Sequence, residues 1–295
     1  MKSGPQSYLK ENALHGTKAF PVGFYTTLVP QHVQNMLIHW HEEMEIGRMR
    51  TGSLLYDVDR ARYEVREGDF LLIAPDTLHA FHQISGQEAV TDSVVFHLSQ
   101  VGAETDDGCT RRYVAPLLDG TLQLPPVIHK EDPYYPQIRD CFEAMWTCRE
   151  AAQPYRELQF KIQAFVLLQL LWQLSAGKVL DTPPRASRQY EDKLKQALTY
   201  IQEHYAEPIT IKQLADNCGF SQVHFMNIFK AAIGSTCIEY LIEYRLTRAA
   251  MDLQETDHSV MQIALDNGFQ NISYFNRAFK QQYAMTPTAF RRQAR

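Results

Sequence analysis

The sequence predicts an α+β protein, in which an N-terminal antiparallel β-barrel of the jelly-roll type with helices precedes an all-α C-terminal domain. Two observations lead to this fold class. Short apolar runs separated by turn signals occupy residues 20–98, whereas apolar residues recur at helical spacing from about residue 133 onward. In addition, nearly the same pattern occurs twice near the C-terminus, with Ala215 and Ala264 lying 49 residues apart.

The N-terminal region is predicted to consist of short strands. Turn signals, such as the one that ends at Gly68, separate its apolar runs. Many short strands with glycine and proline between them are typical of antiparallel barrels and jelly rolls. The predicted strands cover residues 22–28, 36–40, 53–58, 69–73 and 93–98.

Two amphipathic helices are predicted after the barrel. Ile138 and Phe142 fall on one face of the first helix. The predicted apolar face of the second helix comprises Leu158, Ile162, Phe165 and Gln169-Leu170. Such apolar surface either packs against the barrel or forms a dimer interface, and the sequence leaves both interpretations open.

A proline-containing segment with few apolar residues, residues 178–189, predicts a linker. It divides the chain into an N-terminal domain over residues 1–177 and a C-terminal domain over residues 190–295. A length of 295 residues and a hydrophobic content of 45% provide for two such domains.

The composition also restricts location and partners. A net charge of −5 does not favour a strongly basic nucleic-acid binder, so contact with DNA requires a local basic surface. Five cysteines without a CxxC pair favour a reducing compartment. The first 16 residues lack an apolar signal core, and the most apolar run, residues 158–174, is interrupted by five polar residues. We therefore expect a cytoplasmic protein with no membrane partner.

Each copy of the C-terminal repeat predicts a helix, a glycine turn and a second helix. In the first copy, Gly219 supplies the left-handed turn and Ser221 caps the second helix, whose Phe225 and Phe229 point inward. The second copy has one extra residue in its turn, so Asn271 is the predicted cap. A long helix over residues 236–253 joins the copies. Helix–turn–helix units of this kind place a helix in the DNA major groove.

The outer face of each second helix carries side chains that suit base edges and phosphates. Asparagine and arginine bond purine edges, and valine, methionine and isoleucine contact thymine methyl groups. Lysine and arginine, including Arg291 and Arg292, suit phosphates. A plain helical bundle with solvated faces is the alternative. The predicted DNA-binding residues are Gln222, Val223, Met226, Asn227 and Lys230 in the first copy, and Asn271, Ile272, Ser273, Asn276, Arg277 and Lys280 in the second.

About 100 residues at the C-terminus resemble the AraC/XylS family of bacterial transcription regulators. The resemblance lies in Gly268-Phe269, the run from Ser273 to Lys280, and the run from Thr286 to Arg291. It implies a pair of helix–turn–helix units that enter adjacent major-groove segments on one side of the DNA. The sequence departs from the family pattern at Ala284, where glycine is usual, and this departure alters a turn.

A histidine cluster is the candidate site of the barrel. His39, His41, Glu45 and Gly52 follow the pattern H-x-H-x3-E-x6-G, and even spacing in one strand puts the first three on one face, with His79 downstream. Three imidazoles and a carboxylate suit a divalent metal. The pattern resembles the two cupin motifs, and cupin-like sensor domains that hold an effector are common at the N-terminus of the AraC/XylS family. Metal binding, polar contacts to an effector, and buried satisfied histidines all stay open for His39, His41, Glu45 and His79.

Three functions follow from these patterns. The first is a sequence-specific transcription regulator controlled by a small-molecule effector, such as a sugar, in the barrel. Its partners would be promoter or operator DNA, a second copy of the chain and, for an activator, RNA polymerase at the bacterial nucleoid. The second is a metal-dependent cupin enzyme with accessory helices, and the third is a structural DNA-binding protein without an effector. The transcription regulator accounts for the most observations, and this interpretation predicts that the chain is not an enzyme.

Overall fold

The computed structural model describes residues 15–31, 33, 35–59, 61–102, 106–180 and 185–293. The chain divides into two compact units, with the boundary between Arg185 and Ala186.

Among the described residues of the first unit, nine strands form two antiparallel sheets. One sheet has the order β1-β8-β3-β6-β9 and the other has the order β2-β7-β4-β5. The predicted antiparallel jelly-roll architecture is thus confirmed, but as a sandwich of two sheets and not a closed barrel. The strands are β1 (Val22–Val29), β2 (Asn35–His39), β3 (Met44–Thr51), β4 (Ser53–Val58), β5 (Ala61–Arg66), β6 (Phe70–Ile73), β7 (His79–Gln83), β8 (Ala89–Phe96) and β9 (Val127–Ile128).

The five-stranded sheet is covered on both faces. One face shares an apolar cluster with the four-stranded sheet, in which Met49 and Ile73 meet Leu54 and Phe81. The other face packs Ile46 and its neighbours against helices that follow the strands. Alternate side chains of one strand therefore enter two different cores, as the period of two in a strand requires.

Helices follow the sandwich strands in the first unit. A 3-10 turn over Leu98–Val101 and a π-helical turn over Thr110–Val114 lead into α1 (Ala115–Leu118), α2 (Tyr135–Thr147) and α3 (Arg156–Leu174). Helix α2 buries the predicted face that contains Ile138 and Phe142. Helix α3 instead buries Phe160, Ala164, Leu167, Leu168, Leu170 and Leu171.

Most of the apolar face that the sequence predicts for α3 is exposed, but Leu170 of that face is buried. Leu158 is 60% exposed, Ile162 52%, Phe165 45% and Val166 38%. These four residues, called the α3 stripe below, lie on one helix face because their spacing is four, three and one. Packing against the sandwich is therefore the wrong interpretation for this stripe, although it is right for α2.

The second unit is entirely helical. Its helices are α4 (Arg185–His204), α5 (Ile211–Cys218), α6 (Gln222–Ile233), α7 (Cys237–Glu255), α8 (Val260–Asp266), α9 (Ile272–Tyr283) and α10 (Pro287–Gln293). The unit boundary falls inside the predicted linker of residues 178–189, but residues 185–189 are helical because α4 begins at Arg185. Residues 181–184 of that linker lie outside the described residues.

Within the described part of the chain, no helix is long and apolar enough to cross a membrane. All five cysteines are free thiols, and four of them are buried.

Candidate DNA interface and ligand site

The first helix–turn–helix unit comprises α5 and α6. A capping box between Thr210 and Gln213 starts α5, and Gly219 ends it in the left-handed conformation with φ 69°. Ser221 then caps α6 by accepting a hydrogen bond from the backbone N–H of His224. The predicted turn and cap are both confirmed.

The second unit, α8 and α9, has the same construction with one more turn residue. Gly268 adopts φ 80° and Asn271 caps α9 by accepting a hydrogen bond from Tyr274 N at 2.9 Å. A Cβ on Gly268 would come within 2.9 Å of the carbonyl oxygens of Tyr205 and Ala206, whereas a Cβ on Gly219 would meet nothing within 4 Å. Gly268 is therefore required both by backbone angle and by close approach.

The two probe helices, α6 and α9, show the same burial at every position from Ser221 to Lys230 and from Asn271 to Lys280. Phe225 and Phe275 lie at equivalent buried positions, and so do Phe229 and Phe279. This equivalence aligns the units at an offset of 50 residues after the turn. The predicted inward phenylalanine pairs are confirmed.

The predicted DNA-binding side chains are exposed on both probe helices. The burial equivalence pairs Gln222 with Ile272, Val223 with Ser273, Met226 with Asn276, Asn227 with Arg277 and Lys230 with Lys280, and all ten are exposed. Asn271 is also exposed, but its side-chain oxygen serves as the α9 cap. Contact of these residues with DNA stays a prediction.

Arg291 corrects the prediction of phosphate contacts from the last helix. Its guanidinium donates hydrogen bonds to the carbonyl oxygens of Leu253 at 3.3 Å and His258 at 2.6 Å. It therefore caps the end of α7, where a cation is favourable. Arg292 is exposed, as a phosphate contact requires.

The predicted ligand residues lie in the sandwich of the first unit and come from both sheets. His39 ends β2, His79 begins β7 in the same sheet, and Glu45 lies on β3 in the other sheet. His41 belongs to the connection that crosses between the sheets. The sequence argument that one strand holds His39, His41 and Glu45 is therefore wrong, although the residues do converge.

Each of the three histidines is oriented through its Nδ1 atom. His39 Nδ1 lies 2.9 Å from the Leu37 carbonyl, His41 Nδ1 2.9 Å from that of Glu43, and His79 Nδ1 2.9 Å from that of Thr77. A carbonyl oxygen only accepts, so each Nδ1 carries the proton. In a neutral imidazole, Nε2 is then the atom with the lone pair.

The Nε2 atoms of His41 and His79 face the Glu45 carboxylate. Glu45 Oε2 lies 3.3 Å from His41 Nε2 and 3.8 Å from His79 Nε2. His41 and His79 are 4% and 3% exposed, and His79 Nε2 has no hydrogen-bond partner. Two buried imidazoles thus meet one partly buried carboxylate.

Burial and neighbouring charge set the ionisation of this group. Burial would raise the pKa of Glu45, but the hydrogen bond from His41 and the charges of His41 and His79 lower it to about 2. Burial, together with His39 and His41, lowers the pKa of His79 well below its usual value. Burial and the charge of Glu45 also raise the pKa of Tyr56. Glu45 is therefore an anion near neutral pH.

His41, Glu45 and His79 fit a divalent metal. One ligand atom from each lies within 4.8 Å of the others. His39, the fourth predicted ligand, lies outside this group, and its ring contacts that of His79 with centroids 4.1 Å apart and an interplanar angle of 54°.

His15 is a neighbour that the sequence did not single out. Its ring centroid lies 5.8 Å from that of His41, and its Nδ1 hydrogen-bonds the Tyr25 hydroxyl at 2.6 Å. No spacing pattern connects His15 to the histidine motif at residues 39–45, so its position near His41 is visible only in the structure.

Two family models of protein domains match the chain. Residues 22–168 match the family model of the AraC-like ligand binding domain, and residues 196–293 match that of a helix-turn-helix domain. The two matches define a transcription regulator that combines a ligand-binding domain with a DNA-binding domain. The chain belongs to the AraC/XylS family.

Similar proteins are found over most of the chain. An uncharacterized HTH-type transcriptional regulator of Bacillus subtilis, YdeC, is 26% identical over 290 residues, which cover 96% of each chain. The MmsAB operon regulatory protein of Pseudomonas aeruginosa is 24% identical over 265 residues, which cover 90% of this chain and 77% of that protein. ToxT from Vibrio cholerae is a similar solved structure, with 10% identity, coverage of 91% and 97%, and a TM-score of 0.48.

Proposed function

We propose that this regulator reads two consecutive major-groove segments with α6 and α9, under the control of a ligand held in the sandwich. The observation that carries the proposal is the identical burial of the two probe helices, which leaves equivalent side chains at the surface of each. Two rigid probes joined by α7 would contact one face of a duplex at fixed spacing.

The two probes differ in chemistry, so we propose that they read different bases. Val223 and Met226 of α6 suit thymine methyl groups, whereas Asn276 and Arg277 of α9 suit adenine and guanine edges. Lys230 and Lys280 occupy equivalent exposed positions and would contact phosphates. The recognised site is therefore expected to be asymmetric.

The α3 stripe supports a homodimer. Its four apolar side chains form an exposed patch on one helix face, and such patches mark interaction surfaces. Association of two copies through a two-fold axis would bury the same stripe on both. A regulator of this design acts in the cytoplasm at the nucleoid, and an activator would also contact RNA polymerase.

The enzyme alternative has weaker support. Its motivation is the histidine cluster alone, and both relatives found over most of the chain are regulatory proteins. We propose that the cluster holds a regulatory ligand, a sugar being one candidate, and does not catalyse a reaction. A small molecule that raises the melting temperature of the first unit would support an effector. If no tested molecule raises it, the result favours a structural DNA-binding protein.

The proposal is tested by selecting binding sites from random DNA and then exchanging the probe faces. A variant that carries Gln222→Ile, Val223→Ser, Met226→Asn and Asn227→Arg gives α6 the outer face of α9. We expect its selected sites to change in one segment and to keep the other. Binding that is equal on all sequences, with no dependence on salt, would contradict the proposal.

A further inference from the structure

Helix α7 connects the two helix–turn–helix units, and each of its halves packs on a different one. In the first half, the ring of Tyr240 lies 6.0 Å from that of Phe229 in α6. The second half, from Leu246 onward, joins the apolar cluster that contains Phe275 of α9. Long helices bend, so two bodies that share one helix can tilt relative to each other. A fixed spacing of the two probes therefore needs a second contact across the junction.

Arg245 lies in the middle of α7, at this junction. Its Nε donates a hydrogen bond to the carbonyl oxygen of Tyr205 at 2.6 Å, and its Nη2 donates one to that of Glu207 at 2.8 Å. Both carbonyls belong to the turn that follows α4. The last carbonyls of a helix lack partners within the helix, and a cation is favourable beside them. The planar fork of the guanidinium thus ties the end of α4 to α7.

Helix α4 packs on the first helix–turn–helix unit. The thiol of Cys218, the last residue of α5, donates a hydrogen bond to the carbonyl oxygen of Lys193 in α4 at 3.1 Å. The turn that Arg245 holds therefore belongs to the body that carries α6.

The turn of the second helix–turn–helix unit lies against the same hydrogen bond. A Cβ on Gly268 would lie 2.9 Å from each of three atoms, which are Arg245 Nε and the carbonyl oxygens of Tyr205 and Ala206. Gly268 lies in the turn between α8 and α9, three residues before the α9 cap. The donor, its acceptor and the turn glycine therefore meet at one point, which lies between the bodies of the two probes.

We propose that Arg245 is a positioning residue for DNA recognition, which sets the spacing and relative orientation of α6 and α9. This inference rests on the proposed function, in which both probes read one duplex. The guanidinium is occupied by two carbonyls, so it acts through the probes and not on the bases. Its loss should change which spacings of the two DNA segments are accepted, more than the affinity for either segment.

The test uses the full chain and the two-segment site that the wild type selects from random DNA. One base pair inserted between the segments moves the second one by about 3.4 Å and about 34° around the duplex. We expect this insertion to weaken wild-type binding about tenfold or more. Arg245→Met removes both hydrogen bonds but keeps the aliphatic stem. Because its probes are no longer held in one arrangement, the loss on insertion should fall to about threefold or less.

Arg291→Met is the matched control. Arg291 also donates to two carbonyls, those of Leu253 and His258, but both lie in the part of the helical unit that carries α9. Circular dichroism should show a lower melting temperature for this variant, as for Arg245→Met. Its loss of affinity on insertion should nevertheless equal that of the wild type, since no contact between the two probe bodies is removed.

The outcomes separate this inference from the proposed function. A wild-type preference for spacing that persists in Arg245→Met, or that is lost equally in Arg291→Met, would overturn the positioning role and leave the reading of DNA by two probes standing. A wild type that selects no two-segment site overturns both. Should Arg245→Met not fold, Arg245→Lys decides, because lysine offers a point charge in place of the planar fork. An unchanged preference in that variant would overturn the positioning role.

Discussion

Ala284 and Gly234 occupy equivalent positions in the two helix–turn–helix units, and both adopt a left-handed backbone. Gly234 ends α6 with φ 82°, and Ala284 ends α9 with φ 56°. Each precedes by two residues a threonine that caps the next helix, Thr236 and Thr286. The same turn is thus built once with glycine and once with a residue that pays a steric penalty there.

Replacing Ala284 by glycine is expected to stabilise the second unit. Glycine removes the steric cost of the left-handed alanine in the folded state, and this gain is larger than the stabilisation of the unfolded chain by its added entropy. The free energy of unfolding should therefore rise by about 0.5–1 kcal/mol. The reciprocal Gly234→Ala should cost a similar amount. All three tryptophans lie before residue 186, so tryptophan fluorescence follows only the first unit. The helical transition by circular dichroism should shift by a few degrees while the fluorescence transition does not. A shift of both would contradict the local origin of the effect.

The two turn glycines should differ in their tolerance of alanine. Gly219→Ala should cost about 1 kcal/mol, from backbone conformation alone. Gly268→Ala should cost roughly 1–3 kcal/mol more, because its Cβ approaches the Tyr205 and Ala206 carbonyls and Arg245 Nε at 2.9 Å. Thermal unfolding of both variants side by side makes the comparison. Equal losses would show that the close approach relaxes without cost.

Arg277 and Lys280 should separate base reading from phosphate contact. Arg277→Ala should weaken binding to the selected site by about 1–3 kcal/mol and leave random DNA little affected. Lys280→Ala should weaken binding to both alike and reduce the salt slope by about 1. Fluorescence anisotropy over a range of salt concentrations measures both. An equal loss on random DNA for Arg277→Ala would assign that residue to phosphate instead.

A charge on the α3 stripe should abolish the dimer. Ile162→Glu places a carboxylate in the centre of the stripe, where its burial in an interface costs several kcal/mol. Sedimentation of the wild type should give a dimer and that of the variant a monomer. Lys161→Glu, at the neighbouring exposed position, is the control and should stay dimeric. A wild type that sediments as a monomer refutes the interface outright.

Glu45 should give the first unit an acid-dependent stability. Its pKa of about 2 in the fold lies below the ordinary 4.5, so the unfolded chain binds more protons between these values. The stabilisation is then complete above about pH 4.5 and is lost as the pH falls toward 2. Without metal, Glu45→Gln should show a shallower loss of stability over this window by tryptophan fluorescence. Glu88→Gln, on an exposed turn, should keep the wild-type slope.

The helical unit could be predicted closely because its signals are local. Capping residues such as Thr210 and Ser221, the turn at Gly219 and the phenylalanine spacing all act within a few residues of the structure they specify. Arg291 is the exception. Its contacts are to Leu253 and His258, far away in sequence, and charge alone suggested a phosphate contact.

The sandwich was harder to predict because its determinants are distant in sequence. Strand β3 contains Glu45, Gly47 and Arg48, so it shows no apolar run, yet β6 and β8 pair with both of its edges. The fate of the α3 stripe was also open, since the apolar period is the same for a core face and an interface. Three of the four predicted ligand residues, His41, Glu45 and His79, converge, but through a connection between sheets that no spacing rule describes.

Strand β3 lies between the histidine cluster and helix α3. Glu45 points into the space between the sheets, while Met44 and Ile46, its immediate neighbours, are embedded in the cluster that includes Phe160 and Leu167 of α3. A shift of the β3 backbone at Glu45 would therefore also displace Met44 and Ile46, which pack against the helix that carries the stripe.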